Sequence, residues 1–146
     1  MNAYFDTGIL VKLYCAEVNT PEAVKLVELF SPPIAFTHWH EIELKNALRL
    51  KLFRKEMTAG ELEKGLDNLY SDLASGLLQK ASSDFTAVFR TANTLSENHS
   101  TSLGCRTLDI LHVAAAVVIG AKTFVTFDAR QAALATKAGL KVKTQA

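Results

Sequence analysis

The stretch TFVTFDARQAALATKAGLKV, residues 123–142, decides how this chain folds. TFVTF is rich in β-branched and aromatic residues and reads as a strand. DARQAALATKAG reads as a helix that Asp128 opens and Gly139 closes, and LKVKT, residues 140–144, as a second strand. A strand, a helix and a strand in so short a span form the crossover that parallel pairing requires.

The same alternation extends back to the start of the chain. NAYFD is a short strand, and TGILVKLY a helix opened by Thr7. NTPEAVKLVELF is a helix with Thr20 as N-cap and Pro21 at its first position. PPIAFT is a strand after a proline break, and a long helix runs from about His38 to Lys55. TAGELEKGLDNLYSDL begins with the capping box Thr58 and Glu61. GLLQKA is a short strand, SSDFTAVFRTANTLSEN a helix, and HSTSLGC a polar loop. TLDILHVAAAVVIG is an apolar helix capped by Thr107 and stopped by Gly120. The expected order is β-α-α-β-α-α-β-α-α-β-α-β, which predicts an α/β fold: a three-layer α/β/α sandwich around a central parallel sheet.

With 146 residues, 49% of them apolar, the chain is long enough to close one core, and residues 1–146 are expected to form a single domain. Asp6 interrupts the apolar run that a secretory signal needs, and no apolar stretch approaches the ~20 residues that span a bilayer. A cytoplasmic protein without a membrane segment is the expectation. Cys15 and Cys105 belong to no C-x-x-C pair and read as buried free thiols. A net charge of +1 neither requires nor excludes a nucleic-acid partner.

In a parallel sheet, sites form beyond the carboxyl ends of the strands. Two acids stand there, Asp6 after NAYF and Asp128 after TFVTF, and Asp109 lies in the first turn of the apolar helix that follows a polar loop. Each has an ordinary role open to it. Asp128 with Gln131 makes a capping box, Asp109 complements a helix dipole, and Asp6 satisfies amides of the turn after it. Together they point further, because the ends of the first and fourth strands should converge. Clustered carboxylates raise one another's pKa, and a hard cation such as Mg²⁺ relieves that repulsion. A carboxylate-held metal in an open cleft serves phosphate-ester hydrolysis.

A fourth carboxylate can come from Glu41 or Glu43 on the long helix. Glu41 has Lys45 four residues on, the spacing of an exposed ion pair. Glu43 has Ala47 at that spacing, which leaves an acid without a charged partner beside an apolar face.

These residues resemble PIN-domain ribonucleases, and specifically the VapC-type toxins of toxin–antitoxin pairs. The likeness rests on YFDTGILVKLY, AFTHWHEIELKNAL, GCRTLDILHVAAA and TFVTFDARQAALATKAGLKV, in the order and spacing of that family, and covers nearly the whole chain. It implies a PIN-like fold and endonucleolytic RNA cleavage dependent on Mg²⁺ or Mn²⁺. It puts the catalytic and metal-binding acids at Asp6, Glu43, Asp109 and Asp128. Glu43 is preferred to Glu41 because it stands six residues after Thr37 and four before Ala47. A hydroxyl near the metal falls to Thr126 or Thr7. Gly8 departs from the family, where a serine is common. The implied partners are an RNA substrate, an antitoxin protein and a second copy in a homodimer. Arg106 and Lys12 are candidates for a cation facing the phosphate.

Other features are read more plainly. His112, three residues after Asp109, is expected as a packed, hydrogen-bonded histidine. His38 and His40 project about 200° apart on a helix and complete no HExxH, which removes a zinc reading. Basic residues from Lys45 to Lys55 suit either a solvated face or a path for phosphates. A haloacid-dehalogenase-type phosphatase needs a second acid two residues after the first, where Gly8 stands. A catalytically silent PIN module would be expected to lack an acid, and all four are present. A bare domain suits a toxin better than a housekeeping PIN nuclease, with genomic context as the deciding observation.

Overall fold

A computed structural model describes residues 2–146. In chain order the elements are β1 (Ala3–Phe5), α1 (Thr7–Val11), α2 (Thr20–Glu28), β2 (Ile34–Phe36), α3 (His38–Phe53), α4 (Ala59–Ser75), β3 (Leu78–Lys80), α5 (Phe85–Leu103), α6 (Thr107–Val118), β4 (Thr123–Val125), α7 (Ala129–Lys137) and β5 (Lys141–Lys143). The order is the one the alternating patterns predict.

Every strand pair is parallel, in the orders β1-β4-β5 and β2-β3. The central sheet is thus split into two ladders, with β2 packed beside β1 but not paired to it. Side chains of β1 alternate between the faces, as the two-residue period requires. Ala3 and Phe5 join the core beneath α1 to α4, while Tyr4 joins the core beneath α5, α6 and α7. Both faces are therefore covered by helices, giving the α/β/α sandwich.

Local chemistry sets the helix ends, with some departures from expectation. The Thr58 and Glu61 capping box opens α4 as predicted. Thr20 and Thr107 lie inside their helices, and the N-cap positions fall on Asn19 and Arg106. Thr20 instead accepts a hydrogen bond from the Glu17 amide at 2.8 Å. The HSTSL segment, expected as loop, continues α5 until Gly104 adopts a left-handed conformation at φ 65°. Serines and threonines there do not break a helix whose other face packs on α6. Among the described residues, no helix is long and apolar enough to cross a membrane.

Candidate metal centre

Parallel pairing of Phe5 with Val125 brings the carboxyl ends of β1 and β4 side by side, and the Asp6 amide donates to the Val125 carbonyl at 2.9 Å. Asp6 is the N-cap residue of α1, but its side chain makes no capping bond. Its carboxylate instead faces Thr126 Oγ1 at 3.5 Å. Gly8 is close by, and a Cβ at that position would lie 3.1 Å from Asp6 Oδ2. The missing side chain leaves room for the carboxylate, so a serine here would have to shift it.

Glu43 projects from α3 toward the same rim. Its Oε1 lies 2.8 Å from His112 Nε2, and a ligand atom from each of Asp6, Glu43 and His112 falls within 4.8 Å of the others. The sequence suggested an acid without a partner; the partner is a histidine sixty-nine positions away. Glu41 is held elsewhere, by Lys45 at 2.9 Å and Lys80 at 3.4 Å. A carboxylate only accepts hydrogen bonds, so His112 Nε2 carries the hydrogen it shares with Glu43. That nitrogen has no free lone pair for a metal. The donors open to a cation are therefore the carboxylates, with His112 behind them.

The acids form a graded series. Burial pushes the Asp6 carboxyl above its ordinary pKa, and Glu43 and Asp109 push further, against His112 and a hydrogen bond from Gln131. Burial also raises Asp109, with Asp128 and Glu43 adding to it and Arg106 opposing. For Glu43 burial acts upward, but hydrogen bonds from His112 and Thr7 outweigh it and leave the carboxyl below its usual value. Asp128 shares with Asp109, Arg106 and Arg130 a cleft of about 380 Å³ between the starts of α6 and α7.

Asp128 does cap α7, accepting from the Gln131 amide at 2.8 Å. The reciprocal half of the expected box is missing. Fully buried Gln131 turns its side chain to Thr126 Oγ1 at 2.8 Å and to the Asp109 carbonyl at 3.4 Å. Thr126 also accepts from the Asp128 amide at 3.0 Å, so one hydroxyl ties the Asp6 and Asp128 segments together. Thr7, the other expected hydroxyl, lies 3.1 Å from His112 Nε2 and supports Glu43.

Of the two expected cations, Arg106 stands at the site, 3.5 Å from Asp109 and largely exposed. Lys12 is engaged elsewhere, bonded at 2.7 Å to Glu17, which Lys51 also holds at 2.8 Å. Lys45 and Lys51 are thus consumed by internal ion pairs, and only Arg49, Arg54 and Lys55 of the basic stretch are both exposed and outside such pairs among the described residues. The wider apolar groove lined by Pro32, Pro33, Leu73 and Leu78 contains no acid.

The buried roles of three residues escaped the sequence reading. His40 is fully buried, with Nε2 donating to the Phe5 carbonyl at 2.7 Å and Nδ1 accepting from the Thr37 amide at 3.0 Å. It links the start of α3 to the end of β1, where no ladder joins β2 to β1. Tyr4 places its hydroxyl 2.7 Å from His112 Nδ1 and 3.4 Å from Thr37 Oγ1. Gln131 is the third. The available signal was a polar group inside an otherwise apolar run, as in AYF, since a buried polar atom must find a partner.

The chain matches no protein-family model and no curated protein sequence. Its backbone does have a counterpart in the crystal structure of FitAcB from Neisseria gonorrhoeae, with a TM-score of 0.62 over 96% of this chain and 95% of that one. The fold is PIN-like. At 14% identity the likeness concerns the fold alone. In this PIN-like frame, the rim bearing Asp6 and Glu43 is the carboxyl edge of the parallel sheet, where α/β folds place their sites.

Proposed function

We propose that this chain is a metal-dependent endoribonuclease, the toxin of a toxin–antitoxin pair, which cleaves RNA and is restrained by an antitoxin protein. The observation that carries the reading is the meeting of Asp6 and Glu43 on one rim, with Asp109 near enough to push on Asp6. Hard oxygen donors buried and crowded until the Asp6 and Asp109 carboxyls are displaced upward fit a divalent cation. Asp6 and Glu43 are the residues to hold it, with Asp109 closing the set and Asp128 beside it. Mg²⁺ or Mn²⁺ bound there supplies an acidic water and offsets charge on a phosphoryl oxygen.

The remaining roles belong to the chain. Glu43 is kept ionised and aimed by His112 and Thr7. Thr126 braces the Asp6 carboxylate from the end of β4. Asp109, open to the cleft, accepts a hydrogen bond from the attacking water at Oδ1 or Oδ2. Arg106 offers its guanidinium to the charge that grows on the phosphate. The resemblance to VapC-type toxins supports RNA as the substrate, and the antitoxin and homodimer with it.

The test is cleavage of RNA by purified protein with Mg²⁺ or Mn²⁺, with EDTA, and with Asp6→Asn as control. Cleavage that needs metal and vanishes in the variant supports the reading. Cleavage that survives in Asp6→Asn comes from a contaminant, and a wild type inert on every RNA with either metal overturns the proposal. Expression of the wild type should arrest growth, Asp6→Asn should relieve the arrest, and so should co-expression of a short open reading frame immediately upstream.

A further inference from the structure

We propose that Tyr4 is a positioning residue for Glu43, acting through His112. The inference rests on the reading of the rim as a metal centre and names what holds one of its acids in place.

Tyr4 lies in the middle of β1, fully buried, with its ring stacked at 5.6 Å on Phe124 of the neighbouring strand. A phenylalanine would fill that volume with the same apolar contacts. The hydroxyl is what needs explaining, because burying it without partners is unfavourable. Its partner is His112 Nδ1 at 2.7 Å, and the far side of the same ring carries the hydrogen shared with Glu43 at 2.8 Å. The two ring nitrogens are 1,3-related, so a hydrogen bond at one fixes how the other can point. With Tyr4 Oη at Nδ1, the imidazole cannot flip without losing both contacts. The Nε2–H stays aimed at Glu43 whichever charge state the ring adopts.

Each group in the chain comes from a different element. Tyr4 is on β1, two residues before Asp6; His112 is on α6, one turn after Asp109; Glu43 is on α3. Tyr4 also reaches Thr37, the N-cap residue of α3, at 3.4 Å. One hydroxyl therefore braces α3 and α6, which carry Glu43 and Asp109, from the strand that leads into Asp6. Buried Thr7 gives Glu43 a second hydrogen bond that does not pass through Tyr4, so loss of Tyr4 should loosen Glu43 rather than release it.

The experiment combines Tyr4→Phe with His112→Gln in a double-mutant cycle, reading Mn²⁺ affinity by calorimetry in the full-length protein. Glutamine can present an amide N–H near the Nε2 position while offering nothing to Tyr4. We expect Tyr4→Phe to weaken Mn²⁺ binding about tenfold, within the range found for groups that orient metal ligands. In the His112→Gln background the same change should have little effect. In ¹⁵N spectra of the wild-type imidazole, Tyr4→Phe should move the His112 Nδ1 resonance, which tests the link without any metal and without the His112 variant. An equal loss from Tyr4→Phe in both backgrounds, or an unmoved Nδ1 resonance, overturns the proposal. A wild type that binds Mn²⁺ while Tyr4→Phe binds it equally well also overturns it and leaves the metal centre standing. A wild type that binds no Mn²⁺ sinks the metal centre itself.

Discussion

Glu43 Oε1 meets His112 Nε2 at 2.8 Å, whereas Glu41, two residues earlier on the same helix, is turned to Lys45 at 2.9 Å. One helix thus presents an acid to the rim and another to the solvent-facing ion pairs. Glu43→Gln should lower RNA cleavage by more than about 100-fold, since it removes a ligand and not merely its support. Glu41→Gln should stay within about twofold, because a partly exposed pair of this spacing contributes only ~0.3–0.5 kcal/mol. Parallel cleavage assays decide it, and a severe Glu41 variant beside a mild Glu43 variant would move the ligand.

Asp6 should trade stability for function. Its carboxyl is pushed upward by burial, Glu43 and Asp109, so the folded state holds the proton more tightly than the unfolded chain does. The penalty is absent below the ordinary carboxylate pKa, grows as pH rises from there to the displaced value, and is complete above it. Metal-free Asp6→Asn should therefore melt a few degrees higher than the wild type at pH 7, the shift that ~1 kcal/mol gives in a chain of this size. A lower melting temperature would mean that the crowding is not felt.

Metal should reverse that order. An ion that binds only the folded rim adds ~2.7 kcal/mol at a concentration 100 times its Kd. Millimolar Mg²⁺ or Mn²⁺ should raise the melting temperature of the wild type and leave Asp6→Asn nearly unmoved. Equal shifts in both proteins would place the ion elsewhere.

His40 gives a pH dependence of its own. Burial, and to a lesser degree His112, hold its pKa well below the usual value, and the Phe5 carbonyl opposes this only in part. In the unfolded chain it takes up a proton as pH falls through about 6.5, while the folded protein does not. Stability should therefore fall from pH 6.5 towards 5, with a contribution approaching ~1.4 kcal/mol per pH unit for one proton. Urea unfolding across that window should show a shallower slope in His40→Gln. An unchanged slope would mean that the buried ring is charged.

Gly65 offers a control remote from the rim. A Cβ there would fall 2.7 Å from the Tyr14 carbonyl, where backbone must move to admit it. Although alanine is the better helix former, Gly65→Ala should destabilise by ~1–3 kcal/mol, as overpacked sites do, with cleavage per folded molecule unchanged. A stabilised variant would show that α4 can draw away from Tyr14.

The amino-acid sequence by itself determined the element order, the parallel pairing and the stations of Asp6, Asp109 and Asp128. Those depend on short-range patterns: short apolar runs in AYF and TFV, caps at Thr58 and Asp128, and a left-handed glycine at the close of a helix. It misjudged α5 because serine and threonine favour loops locally, while packing on α6 overrides that preference. Only the tertiary structure decided which groups meet. Glu43 finds His112, Tyr4 reaches across 108 positions to the same ring, and Lys12 is drawn away to Glu17. The physical reason is that a buried polar atom must be paired, and its partner is set by how strands and helices stack in space. No periodicity along the chain records that choice.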